Sequence, residues 1–521
     1  LLAMTRFHHL AFMVLSLALL AYGVSGVLIA HLRAPMLRAF RTWFSLLAAL
    51  FAVGSVVCFQ LSQRIPVAPA QWVWSPLEAI NLMLLYLLLC LPLLAAASAV
   101  GLAYCRREES TGRVYRADLM GAAVGSLGGL AALWLPGAQA LWIPWCAGLT
   151  AAALTAFPGS RALAIVLLHM ALLGPAINPP PAVDLRLSPD KPLAMALVAE
   201  GAQQVTDVYT PLGRLTVTRN RLAPYRQASG LSLTFEGKVS PQWGLFSDGE
   251  GFEPLPAPAK GEQNGAFTHL DHLPEALAYR LLKRPRVLIL DTPVMEALVR
   301  TFQQEAVRVE VVLSNPGWRK LSTDPGLDMV GALFSSDGVK ITYGDPRGTL
   351  RKGTSPYDLI VLGSPSPSAL RADHGHTVEA FGEALKRLSG SGLLAVSGPS
   401  DLPPRAGLRL LTTAVTALGG HGAAAPADHL IMIRSLRTVH MLIKKDPAPS
   451  ADIDAVRSFC RSRRFDPVWF PGMRPDEANR WNRFSQPYFH QAARQLLGPD
   501  GHTSVSYTHL TLPTRCHRCR S

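Results

Sequence analysis

Few residues of this chain have types and spacing that could do chemistry. Gly344-Asp345 directly follows a predicted short strand, where a carboxylate could contact a ligand or simply cap a turn. His269, Asp271 and His272 lie close together in sequence, a spacing that could suit a metal, but no further ligand is in view. We therefore treat Asp345 as a candidate ligand-binding residue and predict no metal site.

A second candidate is the loop Gly363–Pro367, which follows the apolar run Leu359–Leu362. Such a run ending in Gly-Ser-Pro-Ser-Pro is typical of a buried strand followed by a turn-forming loop. Ligands of open α/β sheets bind at the carboxyl ends of strands, so chemistry is expected here. The loop has no ionisable side chain, and the Ser364 and Ser366 hydroxyls have no base within the motif, so nucleophilic catalysis is not indicated.

The elements that would position these residues alternate between strands and helices. The predicted strands are Arg286–Leu290, Val307–Leu313, Val339–Tyr343, Leu359–Leu362 and Gly392–Ser397. The predicted helices are Leu273–Leu282, Val294–Glu305 and Thr377–Leu388. This alternation predicts a parallel, doubly wound sheet of Rossmann-like (methyltransferase-like) type.

A small β-hairpin subdomain is expected ahead of that sheet. Gln204–Arg221 has strand–turn–strand character, and Leu231–Phe235 and Trp243–Phe246 are predicted as further short strands.

The first part of the chain is predicted to be a transmembrane bundle of five or six helices. Of the 521 residues only 17% are charged, and the first 180 residues contain no lysine. A membrane-spanning helix needs about 20 apolar residues. The apolar segments are His9–Leu32, Trp43–Leu61, Leu77–Tyr104, Ala117–Leu135, Ala138–Phe157 and the shorter Ala162–Ile177.

Arginines between the segments set the expected orientation. Arg33, Arg38 and Arg41 follow the first segment, and four more arginines lie between the third and the fourth. The positive-inside rule makes both loops cytoplasmic and places the N-terminus outside. Five spans would leave the second half of the chain inside, and six would leave it outside. The expected location is the bacterial inner (cell) membrane, crossed several times.

The lipid bilayer is the first expected partner. Gly121, Gly125 and Gly129 recur at four-residue spacing, a small-residue face that allows close contact with a helix of a membrane-protein partner or of a second copy. The net charge is +14, but no basic stripe with interleaved aromatics is present, so no nucleic-acid partner is expected.

The chain divides into six predicted regions. They are a transmembrane domain (1–178), a linker (179–202), the small β subdomain (203–255), a Rossmann-like domain (256–450), a C-terminal helical extension (451–500) and a tail (501–521). The tail shares no pattern with what precedes it, so it is interpreted as adaptor or vector sequence, or as a natural disordered tail.

Several stretches resemble the polyamine aminopropyltransferase (spermidine synthase-like) family, and with the apolar half the chain resembles its integral-membrane members. The stretches are Tyr115–Gly125, Asp207–Thr218, His272–Leu290, Gly344–Leu350, Tyr357–Ser368 and Phe465–Leu497. The resemblance implies a Rossmann-like fold, decarboxylated S-adenosylmethionine as cofactor and aminopropyl transfer to a polyamine. It also implies that Gly344 and Asp345 lie by the cofactor adenine and that His272 lies on the substrate side.

The chain departs from the family pattern at the positions that bind cofactor and amine. The glycine-rich loop is replaced by Asp291–Glu296, which contains Pro293 and is equally consistent with an ordinary turn capped by Asp291 or Thr292. The ribose carboxylate position is Leu313, and the two loop aspartates are replaced near Gly363 and Ser366. Without these groups a pocket for a nucleoside and cations loses its usual ligands.

Three functions follow from these observations. The leading one is a membrane-anchored binding or scaffold module without aminopropyltransferase activity and without a cofactor. The second is an enzyme with altered chemistry, in which Asp291, Glu296 and Asp345 could form a new cationic site; it would use decarboxylated S-adenosylmethionine if active. The third is a transporter with a regulatory second half, but the apolar segments contain almost no paired ionisable groups.

Overall fold

The structure is a computed structural model of the 521-residue chain. It describes residues 2–6, 8–68, 74–106, 111–155, 165–166, 168, 185–257, 267–291, 293–353, 355–363 and 374–498. These residues form two compact units. The first contains residues 1–199, 206–216 and 246–251, and the second contains the rest of the chain. The six predicted regions stay a prediction.

The first unit is helical. Its helices are α1 (Leu2–Thr5), α2 (His8–Arg38), α3 (Phe40–Ser62), α4 (Pro76–Cys105), α5 (Thr111–Ala132), α6 (Gly137–Ala140), α7 (Trp142–Thr155) and α8 (Pro192–Val198). Leu17 of α2 and Leu85 of α4 are buried in one apolar cluster, and Gly148 of α7 lies against α3, where a Cβ would be 2.7 Å from the Ala48 carbonyl oxygen.

Three of the described helices, α2, α3 and α4, are long and apolar enough to cross a membrane. They coincide with the first three predicted segments and indicate association with a membrane. The fourth predicted segment corresponds to α5, which is not among the three. The fifth corresponds to α7, whose 14 residues fall short of the about 20 that a span needs. The sixth, Ala162–Ile177, lies almost wholly outside the described residues.

Four strands follow, in the order β1 (Ala202–Thr210), β2 (Gly213–Asn220), β3 (Gln242–Ser247) and β4 (Glu250–Pro256). The predicted strands at Gln204–Arg221 and Trp243–Phe246 are present, but Leu231–Phe235 is not a strand. A separate hairpin subdomain is not evident, because the strands form one four-stranded sheet whose residues are divided between the two units.

An eight-stranded sheet forms the centre of the second unit. Its strands are β5 (Arg286–Leu290), β6 (Arg308–Leu313), β7 (Val339–Tyr343), β8 (Tyr357–Leu362), β9 (Leu388–Pro399), β10 (Leu430–Arg434), β11 (Thr438–Lys444) and β12 (Asp466–Trp469). The order is β12-β10-β11-β9-β8-β5-β6-β7. The expectation of a wholly parallel sheet is therefore wrong: β5 to β9 are parallel, whereas β11 pairs antiparallel with β9, and β10 with β11 and β12.

The helices of this unit are α9 (Ala276–Arg280), α10 (Val294–Gln303), α11 (Gly317–Leu321), α12 (Asp328–Phe334), α13 (Pro346–Lys352), α14 (Val378–Arg387), α15 (Arg405–Gly420), α16 (Ser450–Arg463) and α17 (Tyr488–Leu497). Successive side chains of a strand point to opposite faces. Leu288 and Leu290 of β5 pack in a cluster with Phe381 of α14 and Leu411 of α15, while Val287 and Ile289 are also fully buried. Apolar burial of both faces explains why β5 reads as a continuous apolar run.

Candidate functional site

An opening within the second unit lies at the carboxyl ends of its parallel strands. The strand order reverses between β5 and β8, the place where open α/β sheets bind ligands. A cleft of about 290 Å³ lies here, lined by Pro293 after β5, by Leu362 and Gly363 at the end of β8 and by Ser397 on β9. Its size is close to that of small-molecule sites.

Three side chains of the cleft form one hydrogen-bonded chain. Ser397 on β9 and His440 on β11 are directly paired across the two strands. The Ser397 hydroxyl donates to Glu275 Oε1 at 2.9 Å, and its oxygen lies 3.0 Å from His440 Nδ1. Because the only hydroxyl hydrogen points to Glu275, His440 Nδ1 must be the donor and Nε2 the acceptor.

Two further charged residues come from one face of α10. Glu296 and Arg300 are four residues apart and both line the cleft. Arg300 is only 4% exposed. Within the described part of the chain, neither side chain forms an ion pair or a hydrogen bond, and Glu296 Oε1 and Arg300 Nε are buried without a partner. The Glu275 Oε2 and His440 Nε2 atoms are unpartnered in the same way.

Burial sets the protonation of this cleft. Desolvation lowers the pKa of His440 to about 4, so its ring is neutral at pH 7. Desolvation also raises the pKa of Glu296 to about 7, although Arg300 opposes this shift and Glu275 reinforces it. At neutral pH the cleft therefore presents one imidazole acceptor and a carboxyl group that is part ionised.

The turn after β5 is filled by the protein's own side chains. Asp291 adopts a left-handed conformation with φ of 39°, and its Oδ1 accepts a hydrogen bond from the Ser314 amide at 2.9 Å. Glu253 Oε1 from β4 accepts from the Val294 amide at 2.6 Å, and desolvation raises the pKa of this carboxyl to about 8. The interpretation of Asp291 as the helix cap is wrong, because the N-cap residue is Pro293. Thr292 lies outside the described residues.

The predicted cofactor-binding pair Gly344-Asp345 follows β7. The Asp345 carboxylate accepts from the amides of Arg347 at 3.2 Å and Gly348 at 2.8 Å, so it caps α13. A Cβ on Gly344 would meet no atom within 4 Å. Neither residue lines the cleft, and their ligand role stays a prediction.

The predicted substrate-side residue His272 does not line the cleft, although its neighbour Leu273 does. Its ring packs beside Phe235 at 5.1 Å between centroids, and Nδ1 lies 3.3 Å from the Thr268 carbonyl oxygen. Asp271 forms ion pairs with Arg280 and Arg463. Among the described residues no group of three possible metal ligands occurs. The substrate role of His272 stays a prediction.

The strand that leads into the Gly363 loop is held by Asp358, which is structural. Asp358 accepts two hydrogen bonds from the Arg286 guanidinium, each 3.0 Å, and one from the Ser389 hydroxyl at 2.7 Å. The guanidinium is the main reason that the pKa of Asp358 falls to about 2. Residues 364–367 of the predicted loop lie outside the described residues.

Sequence reasoning missed most of the cleft. Glu296 was considered as an alternative ligand, but Glu275, Ser397 and His440 carried no signal because they come from three separate elements. The spacing of Glu296 and Arg300 on one helix face was the one local clue. The carboxylates of the family pattern are replaced, but Glu275 and Glu296 bring other carboxyl groups to the cleft.

The second unit thus has a mixed α/β sheet of methyltransferase-like type with a polar cleft at its carboxyl edge. A spermidine synthase from Thermotoga maritima is 12% identical over 56% of this chain and 84% of its own, with a TM-score of 0.32. A probable spermidine synthase from Corynebacterium glutamicum is 13% identical over 50% of this chain and 85% of its own, with a TM-score of 0.33. A putative methyltransferase from Escherichia coli is 11% identical over 37% of this chain and 90% of its own, with a TM-score of 0.22.

No protein-family model matches the chain, and no curated protein sequence matches it. The structural similarities are weak and do not identify an activity.

Proposed function

We propose that this chain is a membrane-anchored, spermidine synthase-like protein that binds a small primary amine in the cleft and does not transfer an aminopropyl group. The observation that carries the proposal is a set of cleft-lining side chains whose acceptor atoms have no partner in the described part of the chain. Glu275 Oε2, Glu296 Oε1 and His440 Nε2 are buried there without partners among the described residues.

An alkylammonium group is the natural complement of these three atoms. It carries three N–H donors and no acceptor, and it is positively charged. A buried acceptor without a donor costs about 1–3 kcal/mol, more if it is charged, so a bound ammonium would relieve several such costs at once. The part-ionised Glu296 next to a neutral imidazole also gives negative charge that attracts a cation.

Decarboxylated S-adenosylmethionine does not fit the turn that would have to hold it. A nucleoside site at this edge uses glycines so that the backbone can approach the ligand closely. Here Pro293 lacks an amide hydrogen, and Glu253 already accepts the Val294 amide. The chain's own carboxylate thus occupies the helix end that would face the cofactor, which supports the absence of aminopropyl transfer.

The test is calorimetric titration of the full-length protein in detergent with putrescine, followed by incubation with putrescine and decarboxylated S-adenosylmethionine. We expect putrescine to bind and no spermidine to form. The double variant Glu275→Gln, Glu296→Gln should bind putrescine at least tenfold more weakly. Glu236→Gln, an exposed change of the same chemistry, is the control and should bind normally.

Absence of putrescine binding, or equal weakening in the Glu236→Gln control, would refute the amine site. Formation of spermidine would refute the non-catalytic part and support the second candidate, an amine-modifying enzyme with altered chemistry. That candidate is favoured by one observation: the neutral His440 Nε2 could accept the proton of an attacking amine. His440→Gln should then abolish turnover, whereas putrescine binding, which still has Glu275 and Glu296, should weaken less than in the double variant.

A further inference from the structure

The cleft contains the Arg300 guanidinium, a cation for which a bound amine supplies no hydrogen-bond acceptor. Arg300 lies on α10, is 4% exposed and lines the same cleft as Glu275 and Glu296. Its Nε is buried, and its guanidinium makes no hydrogen bond to any residue in the described ranges. A guanidinium has five donors and cannot be deprotonated, so a buried one without acceptors is costly.

The nearby carboxylates do not satisfy this guanidinium. Glu296 is four residues away on the same helix, yet Glu296 Oε1 is itself unpartnered, and the two side chains form no ion pair within the described structure. Glu275 uses Oε1 to accept from Ser397, while its Oε2 is also unpartnered. Donors and acceptors therefore coexist in one cleft without neutralising each other by contact.

We propose that the cleft binds a zwitterion, a small molecule that carries both a carboxylate and a primary ammonium group, as amino acids do. The Arg300 guanidinium matches a carboxylate because its planar fork donates two parallel hydrogen bonds to the two oxygens. Glu275, Glu296 and His440 match the ammonium. This inference rests on the proposed function, and it adds that Arg300 selects ligands that retain a carboxylate.

Two commercially available ligands differ only in the carboxylate group. L-Ornithine carries the α-carboxylate, and putrescine is the same carbon chain without it. We expect the full-length protein in detergent to bind L-ornithine at least tenfold more tightly than putrescine. Arg300→Gln should remove this preference by weakening ornithine binding while leaving putrescine binding equal or tighter, because a positive charge near the ammonium is lost.

Two variants separate ligand recognition from folding. Arg300→Lys keeps the charge but not the fork, so it should keep part of the preference. Arg308→Gln removes an exposed arginine of the same unit and should change neither affinity. Thermal unfolding of each variant shows whether it is folded.

The outcomes distinguish the two proposals. If putrescine binds as tightly as ornithine, or if Arg300→Gln weakens both by the same factor, Arg300 only balances charge in the cleft, and the inference fails while the amine site stands. If neither ligand binds, both proposals fail. A preference for ornithine that Arg300→Gln abolishes supports the inference.

Discussion

Two glutamates with desolvated carboxyl groups make the stability and the binding of this chain depend on pH. Glu253 and Glu296 both have pKa values raised by desolvation, to about 8 and about 7, so each changes charge near neutral pH. Glu253 accepts an amide of α10 at the helix start, and Glu296 lies in the first turn of that helix and lines the cleft. Protonation of these two groups therefore links pH to stability and to binding.

Stability should fall with rising pH because of Glu253. Its carboxyl ionises near pH 4.5 when unfolded and near 8 when folded, so between these values the folded state holds a proton that the unfolded state has released. Glu253→Gln keeps the acceptor and removes the ionisation. Between pH 6 and 9 the parent protein should lose about 2 kcal/mol more unfolding free energy than the variant. Urea titrations at both pH values measure this, and parallel losses would contradict it.

Putrescine binding should strengthen as pH rises through 7. The cation is attracted by ionised Glu296, and the ligand amines stay protonated to about pH 10, as a lysine amine does. Glu253, Glu275, Arg300, His440 and His269 are other titratable groups around this carboxyl. We expect about a tenfold gain in affinity between pH 5.5 and 8 in calorimetry. A Glu296→Gln variant that retains the full pH dependence would show that another group is responsible.

Individual elements have contacts that their sequences only partly explain. Helix α13 begins at a side-chain cap, with Asp345 accepting two amides. Helix α5 carries Gly121, Gly125 and Gly129, where an added Cβ would meet nothing within 4 Å of it. By contrast, Gly148 of α7 is pressed against α3. The start of α13 is explained by hydrogen bonds within the chain. The small-residue face of α5 is open and is available for the predicted helix partner.

The cap role of Asp345 predicts a split between two substitutions. Asp345→Ala should cost about 1 kcal/mol of unfolding free energy, whereas Asp345→Ser keeps a capping oxygen and should cost less than half of that. Putrescine affinity should be unchanged in both. Weaker ligand binding in both variants would instead support the ligand role that the family resemblance implies.

The glycine face of α5 predicts self-association if its partner is a second copy. Gly125→Leu should reduce energy transfer between donor- and acceptor-labelled copies in proteoliposomes, because a large side chain prevents close backbone approach. Gly112→Leu is the matched control, since Gly112 lies on the opposite side of the same helix and is equally open. Energy transfer that is absent from the parent protein would exclude a second copy as the partner.

The whole molecule joins an apolar helical unit to an α/β unit. Three described helices can cross a membrane, and the arginines at the end of α2 and the start of α3 are expected on the cytoplasmic side. An odd number of crossings places the two ends of the bundle on opposite sides. The α/β unit would then face the cytoplasm, where amines and amino acids are abundant.

Paired reporter fusions after Leu497 test this topology. A green fluorescent protein fusion should fluoresce and an alkaline phosphatase fusion should be inactive, since the first matures inside and the second outside. The reverse pattern would require an even number of crossings and would place the cleft outside. Release of the chain from membranes by alkaline carbonate would contradict a spanning bundle altogether.

The sequence by itself determined the elements that rest on local pattern. The apolar run of β5 predicted that strand with its observed bounds, and the long apolar segments predicted α2, α3 and α4, because burial on both faces or in lipid leaves a strong local signal. The antiparallel strands β10 to β12 were not anticipated, so the sheet came out mixed rather than parallel.

The residues of the cleft could be identified only from the tertiary structure. Glu275, Ser397 and His440 are far apart in the chain, and no spacing rule connects them until β9 and β11 pair. The raised pKa of Glu296 likewise depends on burial, which is a property of packing and not of sequence. Local periodicity fixes elements, whereas the charge and donor balance of a site depends on which elements meet.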